Sequence, residues 1–186
     1  CHYHQKQLYL SSFYFDNLLS TYPRSKYAEE SQYMSSKSKY ESTPKYNLDQ
    51  STTLNTLNQI QKFINKYPNS QYVRDCELMI DDLNERLERK AFESASLYHK
   101  LGYYKSAVIS LKDFTNDYPT SKYIEEAYFL RLESQFKLAK LSVTEKKEER
   151  YQEAVSFYQD FVDTFPSSKF ARQAENIYDL ALNNLK

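Results

Sequence analysis

The chain has one glycine and no tryptophan in 186 residues. Phosphate-cradling loops and dinucleotide folds need backbone freedom at several positions, so a single glycine excludes most of them. Cysteine is almost missing as well: Cys1 and Cys76 lie 75 positions apart and make no metal-type pair. No sign of charge dominates, because 25 basic residues balance 25 acidic ones. Without a basic run, neither nucleic acid nor an anionic membrane surface is an expected partner. No apolar stretch approaches the length that spans a bilayer. Only three histidines are available for acid–base work, His2, His4 and His99.

What the chain has in abundance is tyrosine, used 19 times, and a cassette that occurs four times. The copies are Tyr22-Pro23-Arg24-Ser25-Lys26-Tyr27, Tyr67-Pro68-Asn69-Ser70-Gln71-Tyr72, Tyr118-Pro119-Thr120-Ser121-Lys122-Tyr123 and Phe165-Pro166-Ser167-Ser168-Lys169-Phe170. Twelve residues before each Pro stands a small residue (Ser11, Thr56, Ala107, Ala154), and eight after it another (Ser31, Cys76, Ala127, Ala174). Large apolar residues fill helical spacings between them: Phe15/Leu18, Ile60/Phe63, Leu111/Phe114 and Tyr158/Phe161 before the Pro, and Met34, Met79, Leu130 and Ile177 after it. Each unit therefore reads as helix B, a Pro turn, then helix A of the next unit, with small residues where helices cross closely. The Pro ends one helix, and the Ser two positions later is placed to cap the next. Such units bury their apolar stripes only against neighbours, which predicts an all-α, tetratricopeptide-like helical-repeat solenoid. It is read as one domain over residues 1–186, with units centred on Pro23, Pro68, Pro119 and Pro166 and an incomplete N-terminal repeat.

The Pro-to-Pro spacings are 45, 51 and 47, longer than a minimal tetratricopeptide unit of about 34 residues. Helix A of the first interval is expected from Ser25 to Tyr40, followed by a loop to Asp49 and helix B to Lys66. The second interval should be one helix from Ser70 to Leu101, with Cys76, Ile80, Leu83, Leu87, Ala91, Ala95 and Tyr98 as a buried stripe. In the third, the charged stretch 142–150 links or extends helix A before Tyr151 opens helix B. The terminal helix is expected from Ser168 to Leu185. A chain starting at Cys is compatible with a processed lipoprotein. Counting back from Pro23, however, places residue 1 in the last turns of a helix A, so the expectation is a fragment whose repeats and targeting signal begin further upstream.

Catalytic constellations are weakly supported. His2 and His4, two apart on a presumed helix, point to different faces, and His99 reads as alone near a helix end. The adjacent acids Asp81/Asp82 and Glu148/Glu149 diverge in the same way, so a hydrolase built on scattered carboxylates has no convergent pair. Cys76, in a small-residue position, reads as a packed thiol. No cofactor or metal is expected. The tyrosines flanking each Pro read as core or turn packing, whereas Tyr46, Tyr103, Tyr128 and Tyr178 fall outside the pattern and suit an amphipathic binding surface. Counting from each Pro puts Gln32, Ser35, Glu77, Tyr128, Arg131, Glu175 and Tyr178 on the concave side formed by the A helices. The partner-binding candidates are Arg89, His99, Tyr128, Arg131, Glu175 and Tyr178.

Several stretches resemble one family: Ser42-Thr-Pro-Lys-Tyr-Asn-Leu-Asp-Gln50, Lys62 to Tyr72, Leu83-Asn-Glu-Arg-Leu-Glu-Arg-Lys-Ala-Phe92, and Leu138 to Ser142 followed by Lys146 to Tyr151. They are similar to the BamD (YfiO) outer-membrane lipoproteins in their Bacteroidota form, and the likeness covers essentially the whole chain. The resemblance implies a non-enzymatic subunit of the β-barrel assembly machinery, held by an N-terminal lipid at the periplasmic face of the outer membrane. It implies docking of the C-terminal repeats on the periplasmic POTRA domains of a BamA-type barrel, with N-terminal repeats associated with unfolded outer-membrane protein substrates. The competing reading is another periplasmic repeat adaptor, for example one acting in envelope constriction or division.

Overall fold

The computed structural model describes residues 2–185; the expected placement of Cys1 in a preceding helix falls outside the described residues. Among these, the chain forms α1 (Leu8–Thr21), α2 (Ala28–Glu41), α3 (Ser51–Lys66), α4 (Val73–Lys100), α5 (Tyr104–Asp117), α6 (Ile124–Lys140), α7 (Thr144–Thr164) and α8 (Ala171–Asn183). The fold is all-α and of the tetratricopeptide-like helical-repeat kind.

The four cassettes share one backbone conformation. The aromatic residue before each Pro closes the preceding helix at φ near −130° and ψ between 61° and 66°. This is the shift out of helical space that a following Pro imposes. The serine N–H then donates to that aromatic's carbonyl, at 3.0 Å for Ser25 and 3.1 Å for Ser70, Ser121 and Ser168. Each serine Oγ accepts the N–H two residues on, from Tyr27, Tyr72, Tyr123 and Phe170. The serines thus build the turn, while α2, α6 and α8 start after Tyr27, Tyr123 and Phe170 without a side-chain cap. That corrects the expected caps and moves the helix starts three residues beyond Ser25, Ser70 and Ser168.

The small residues lie where the repeat register puts them. Ser11, Ser31, Thr56, Cys76, Ala107, Ala127, Ala154 and Ala174 are all buried. The expected long helix is α4, unbroken across 86–90. Its stripe is only partly as expected: Cys76, Leu83 and Ala95 are buried, Ile80, Leu87 and Ala91 are half-buried, and Tyr98 is 42% exposed. The physical reason is that α4 serves two cores, through Cys76, Met79 and Leu83 and then through Phe92 and Ala95, and nine residues separate Leu83 from Phe92. A helical face recurs at seven, eight or eleven residues, so one stripe cannot serve both. The charged stretch after Ser142 proves to be the start of α7, which opens at Thr144 rather than Tyr151. Arg150 fastens that start by donating to Ser142 Oγ.

Two compact units result, one up to Leu87 and one from Glu88. The first is centred on Tyr33, Ile60, Phe63, Cys76, Met79 and Leu83. The second has one cluster around Phe92, Ala107, Leu111 and Phe114 and another around Phe129, Leu132, Ala154, Phe161 and Ile177. In three cassettes the aromatic after the Pro stacks on an aromatic from an earlier helix: Tyr72 on Tyr33 at 4.1 Å, Tyr123 on Phe92 at 4.8 Å and Phe170 on Phe129 at 4.7 Å. The first cassette departs from the expected packing, for Tyr22 and Tyr27 are 64% and 52% exposed.

Candidate partner-binding surfaces

In the first unit α2 is flanked by α1 and α3, and its polar sequence faces them. Ser35 donates to Asp16 at 2.6 Å, and Ser38 donates to the Met34 carbonyl at 2.7 Å while meeting Ser11 at 2.8 Å. Short hydroxyl side chains leave room, and two clefts open along the helix. One, of about 270 Å³, is lined by Tyr9, Ser12, Lys39, Ser42 and Thr52, among others. The other, of about 140 Å³, is lined by Asp16, Leu19, Gln32, Ser35 and Lys62, and both reach Gln59. Gln32 and Ser35 both line the second cleft, although Ser35 is buried and already bonded. Glu77, expected on the same side as these two, is exposed at the start of α4 in a separate shallow depression with Arg74 and Leu78.

Two networks pin α4 to α2 within this unit. Lys37 donates to Tyr33 Oη at 2.8 Å and pairs with Asp75 at 3.1 Å, and Tyr33 donates to the same carboxylate. Arg86 pairs with Asp82 at 2.5 Å, donates to Thr43 at 2.8 Å and covers the Tyr40 ring. The hydrogen bond from Tyr33 holds the Asp75 carboxyl below its ordinary pKa against the opposing effect of burial. Cys76, beside it, is packed as expected, and burial pushes its thiol up to about 12, so it is an inert core residue.

The second unit carries the six partner-binding candidates, and the structure sorts them. Arg89 and Glu175 are exposed. Tyr178 is half-buried and stacks on Tyr158 of α7 at 4.4 Å. Tyr128 packs against the core cluster, edge-on to Phe165 at 5.4 Å, and Arg131 lies over Phe157 at 3.8 Å. Both were expected outside the repeat core and are instead half inside it, because α7 and the turn after it supply aromatic residues opposite them. Of the other tyrosines, Tyr46 is half-buried and Tyr103 is 63% exposed at the α4–α5 turn.

His99 is not alone. Its Nδ1 lies 2.8 Å from Ser134 Oγ and its Nε2 3.2 Å from Glu133, which also receives Lys137 at 2.7 Å. Tyr104 closes the ring side. The trio of Ser134, His99 and Glu133 resembles a nucleophile, base and acid in composition only. Ser134 is fully buried and gives its hydrogen to the Leu130 carbonyl, so no substrate carbon can approach it. The network fastens the end of α4 to α6. Hydrogen bonds from His99 and Lys137 hold the Glu133 carboxyl down at about 2, outweighing its burial. The sequence signal for it was the i, i+4 pair Glu133/Lys137 on a helix facing a lone histidine, which the one-helix reading of His99 missed.

Among the described residues no group of three His, Cys, Asp or Glu could hold a metal ion, and no helix is long and apolar enough to cross a membrane. The repeat geometry agrees with what the chain matches. Residues 1–110 and 95–185 each match the YfiO family, described as outer membrane lipoprotein. The chain belongs to the YfiO family. It is also similar to the outer membrane protein assembly factor BamD of Caulobacter vibrioides, at 28% identity over 119 residues. That match covers 64% of this chain and 39% of the relative. For a YfiO-family repeat protein, the informative surfaces are the polar groove along α2 and the aromatic face shared by α6, α7 and α8.

Proposed function

We propose that this chain is a non-enzymatic scaffold of the β-barrel assembly machinery, which docks the POTRA domains of a BamA-type barrel and assists folding and insertion of outer-membrane proteins. Family membership over nearly the whole length carries the reading, and the printed role of the Caulobacter relative as an assembly factor points the same way. The two units would act as one repeat domain, lipid-anchored at the periplasmic face of the outer membrane. Docking falls to the second unit, where exposed Glu175 and half-buried Tyr178 and Tyr128 combine charge with aromatic area, the composition of interface anchors. The groove along α2, with Gln32, Gln59, Lys39 and Lys62 around a floor of serines, offers hydrogen-bonding partners to an extended unfolded chain.

The test is a pull-down of the organism's BamA-type barrel by this protein, paired with a thermal melt. Glu175→Arg, on an exposed helical position, should weaken capture several-fold and leave the melt unchanged. Capture of an envelope-division complex instead of the barrel would overturn the reading in favour of another periplasmic adaptor.

A further inference from the structure

The balance of 25 basic against 25 acidic residues hides an uneven placement. In the second unit no acid stands between Glu93 and Asp113 or between Glu133 and Glu145, and these two stretches carry Lys100, Lys105, Lys112, Lys137 and Lys140. Each stretch contains a turn from an A helix to a B helix, α4 to α5 and α6 to α7. The fold sets the two turns side by side. His99 reaches Ser134 and Glu133 of α6, the Tyr104 ring lies 5.7 Å from Lys137 Nζ, and Lys105, Leu138 and Lys146 line one cleft of about 320 Å³.

What projects from these turns is apolar. Leu101 and Tyr103 are 59% and 63% exposed, and Leu141 and Val143 are 74% and 63% exposed. Lys100, Lys105, Lys140 and Lys146 flank them and are exposed as well. Of the neighbouring acids, Glu133 is engaged by Lys137 and Glu93 stands 4.0 Å from Lys100, while Glu145 is followed directly by Lys146 and Lys147. The cleft behind the turns is mixed in charge, with Glu149, Arg150 and Glu153 on its α7 wall, so the basic and apolar character belongs to the tips.

Helix stability does not account for these lysines. Lys140 in the last turn of α6 suits the helix dipole, but Lys105 and Lys146 sit in the first turns of α5 and α7, where a cation is disfavoured. Nor does the repeat demand the apolar tips: the equivalent connection in the first unit, between α2 and α3, is framed by Glu41 and Asp49 and exposes Leu48 alone among its large apolar residues. Apolar side chains on protruding turns, ringed by lysines, match a bilayer interface, which offers apolar depth beneath anionic headgroups. Lysine stems can lie along the apolar layer with their ammonium groups at the phosphates, and tyrosine is itself an interfacial residue.

We propose that the α4–α5 and α6–α7 turns of the second unit dock on an anionic bilayer surface. Leu101, Tyr103, Leu141 and Val143 enter the interface, and Lys100, Lys105, Lys140 and Lys146 meet lipid phosphates. A contact of this size is weak by itself and serves to orient the protein on a membrane. It uses none of the residues assigned above to docking or to the α2 groove, and it holds whoever the protein partner is.

The chain contains no tryptophan, so Tyr103→Trp places a single fluorescent reporter at one tip. The full chain, with no lipid attached, is titrated with vesicles of phosphatidylglycerol and with vesicles of phosphatidylcholine. The expected result is a saturable blue shift on phosphatidylglycerol, quenching by brominated acyl chains, and partitioning weaker by about tenfold on phosphatidylcholine or in high salt. In the same background Leu141→Ser with Val143→Ser, and separately Lys105→Gln with Lys140→Gln, should each weaken partitioning several-fold and leave the thermal melt unchanged. Equal partitioning on the two lipids would remove the headgroup contact and overturn the proposal. Binding undiminished in both double variants would place the contact elsewhere and overturn it as well. Silence on both lipids would leave these turns to a protein partner and sink the idea. Wild-type protein should co-sediment with the anionic vesicles too; sedimentation of the Tyr103→Trp variant alone would show that the reporter created the binding. None of these outcomes depends on the barrel pull-down through Glu175.

Discussion

At the small-residue positions of the repeat register, the unit that ends at Leu87 carries Ser11, Ser31, Thr56 and Cys76, and the unit that begins at Glu88 carries Ala107, Ala127, Ala154 and Ala174. Both sets allow close approach, but a hydroxyl must be given an acceptor and a methyl needs only contact. The first unit answers with bonds back to its own helices, Ser38 to Met34 and Thr56 to Thr52, and across to its neighbour, Ser11 to Ser38. The alanines at these positions of the second unit need no such bonds. Groove floors rich in serine suit a polar ligand, whereas the second unit gathers charge in the network of His99, Glu133 and Lys137.

The comparison breaks most sharply at an alanine position. Ala154 has no exposed surface, so Ala154→Arg must bury an unpaired charge and overpack α7. The expected loss is about 3–5 kcal/mol, read by chemical denaturation. A melt within a degree of wild type would show that the register behind both units is wrong.

A smaller effect tests the charge network of the second unit. Glu133 titrates at about 2 in the fold against an ordinary value of 4.5. A depressed carboxylate stabilises wherever it is ionised in both states, and the contribution fades as pH falls from about 4.5 towards about 2. Glu133→Gln should therefore cost about 1–3 kcal/mol at pH 7, as lost charged hydrogen bonds do, and its deficit should shrink through that acid window. A deficit independent of pH would assign Glu133 a packing role only.

The hydroxyl crossing gives a subtler signature. Ser38→Ala alone leaves Ser11 without its cross-helix partner and should cost about 1 kcal/mol. Adding Ser11→Ala removes both hydroxyls, so the double variant should be less destabilised than the sum of the singles, measured as a coupling energy in a double-mutant cycle. Strict additivity would mean that the two hydroxyls do not meet in solution.

These contrasts were unevenly legible in the sequence. The register around each Pro located eight small residues that are all buried, since steric demands recur from unit to unit whatever the local polarity. That register alone could place α2, whose sequence Ala-Glu-Glu-Ser-Gln-Tyr-Met-Ser-Ser-Lys-Ser-Lys-Tyr-Glu carries almost no apolar periodicity, yet buries Ser31, Ser35, Ser36 and Ser38. Counting from a Pro could not say what lies opposite a residue. Tyr128 and Arg131 were assigned to an open face because the aromatic residues covering them, Phe157 on α7 and Phe165 just past its end, lie elsewhere in the sequence. His99 was misjudged for the same reason, its partners Glu133 and Ser134 lying on α6. Periodicity reports the face of a helix, and the chemistry of a site depends on two.

The smallest predicted effect compares the turns that open α1 and α5. Before α5, Gly102 has φ 80°, with its N–H bonded to the His99 carbonyl and the Tyr103 N–H bonded to the Tyr98 carbonyl. Before α1 the same bonds run from Lys6 to Tyr3 and from Gln7 to His2, and Lys6 holds φ 57°. Glycine adopts this left-handed conformation freely, while a side chain makes it strained. Lys6→Gly relieves that strain and gives up an ion pair with Glu41 in which the lysine is exposed and the carboxylate half-buried, together with a contact over the Tyr3 ring, and such a pair contributes little. It should stabilise the protein by about 0.5–1 kcal/mol, and Gly102→Ala should destabilise it by about 1 kcal/mol, the change there being backbone strain with no close contact to the added carbon. Opposite signs in paired denaturation curves are the expected outcome. A destabilising Lys6→Gly would mean that the first turn draws more from Glu41 than its exposure allows.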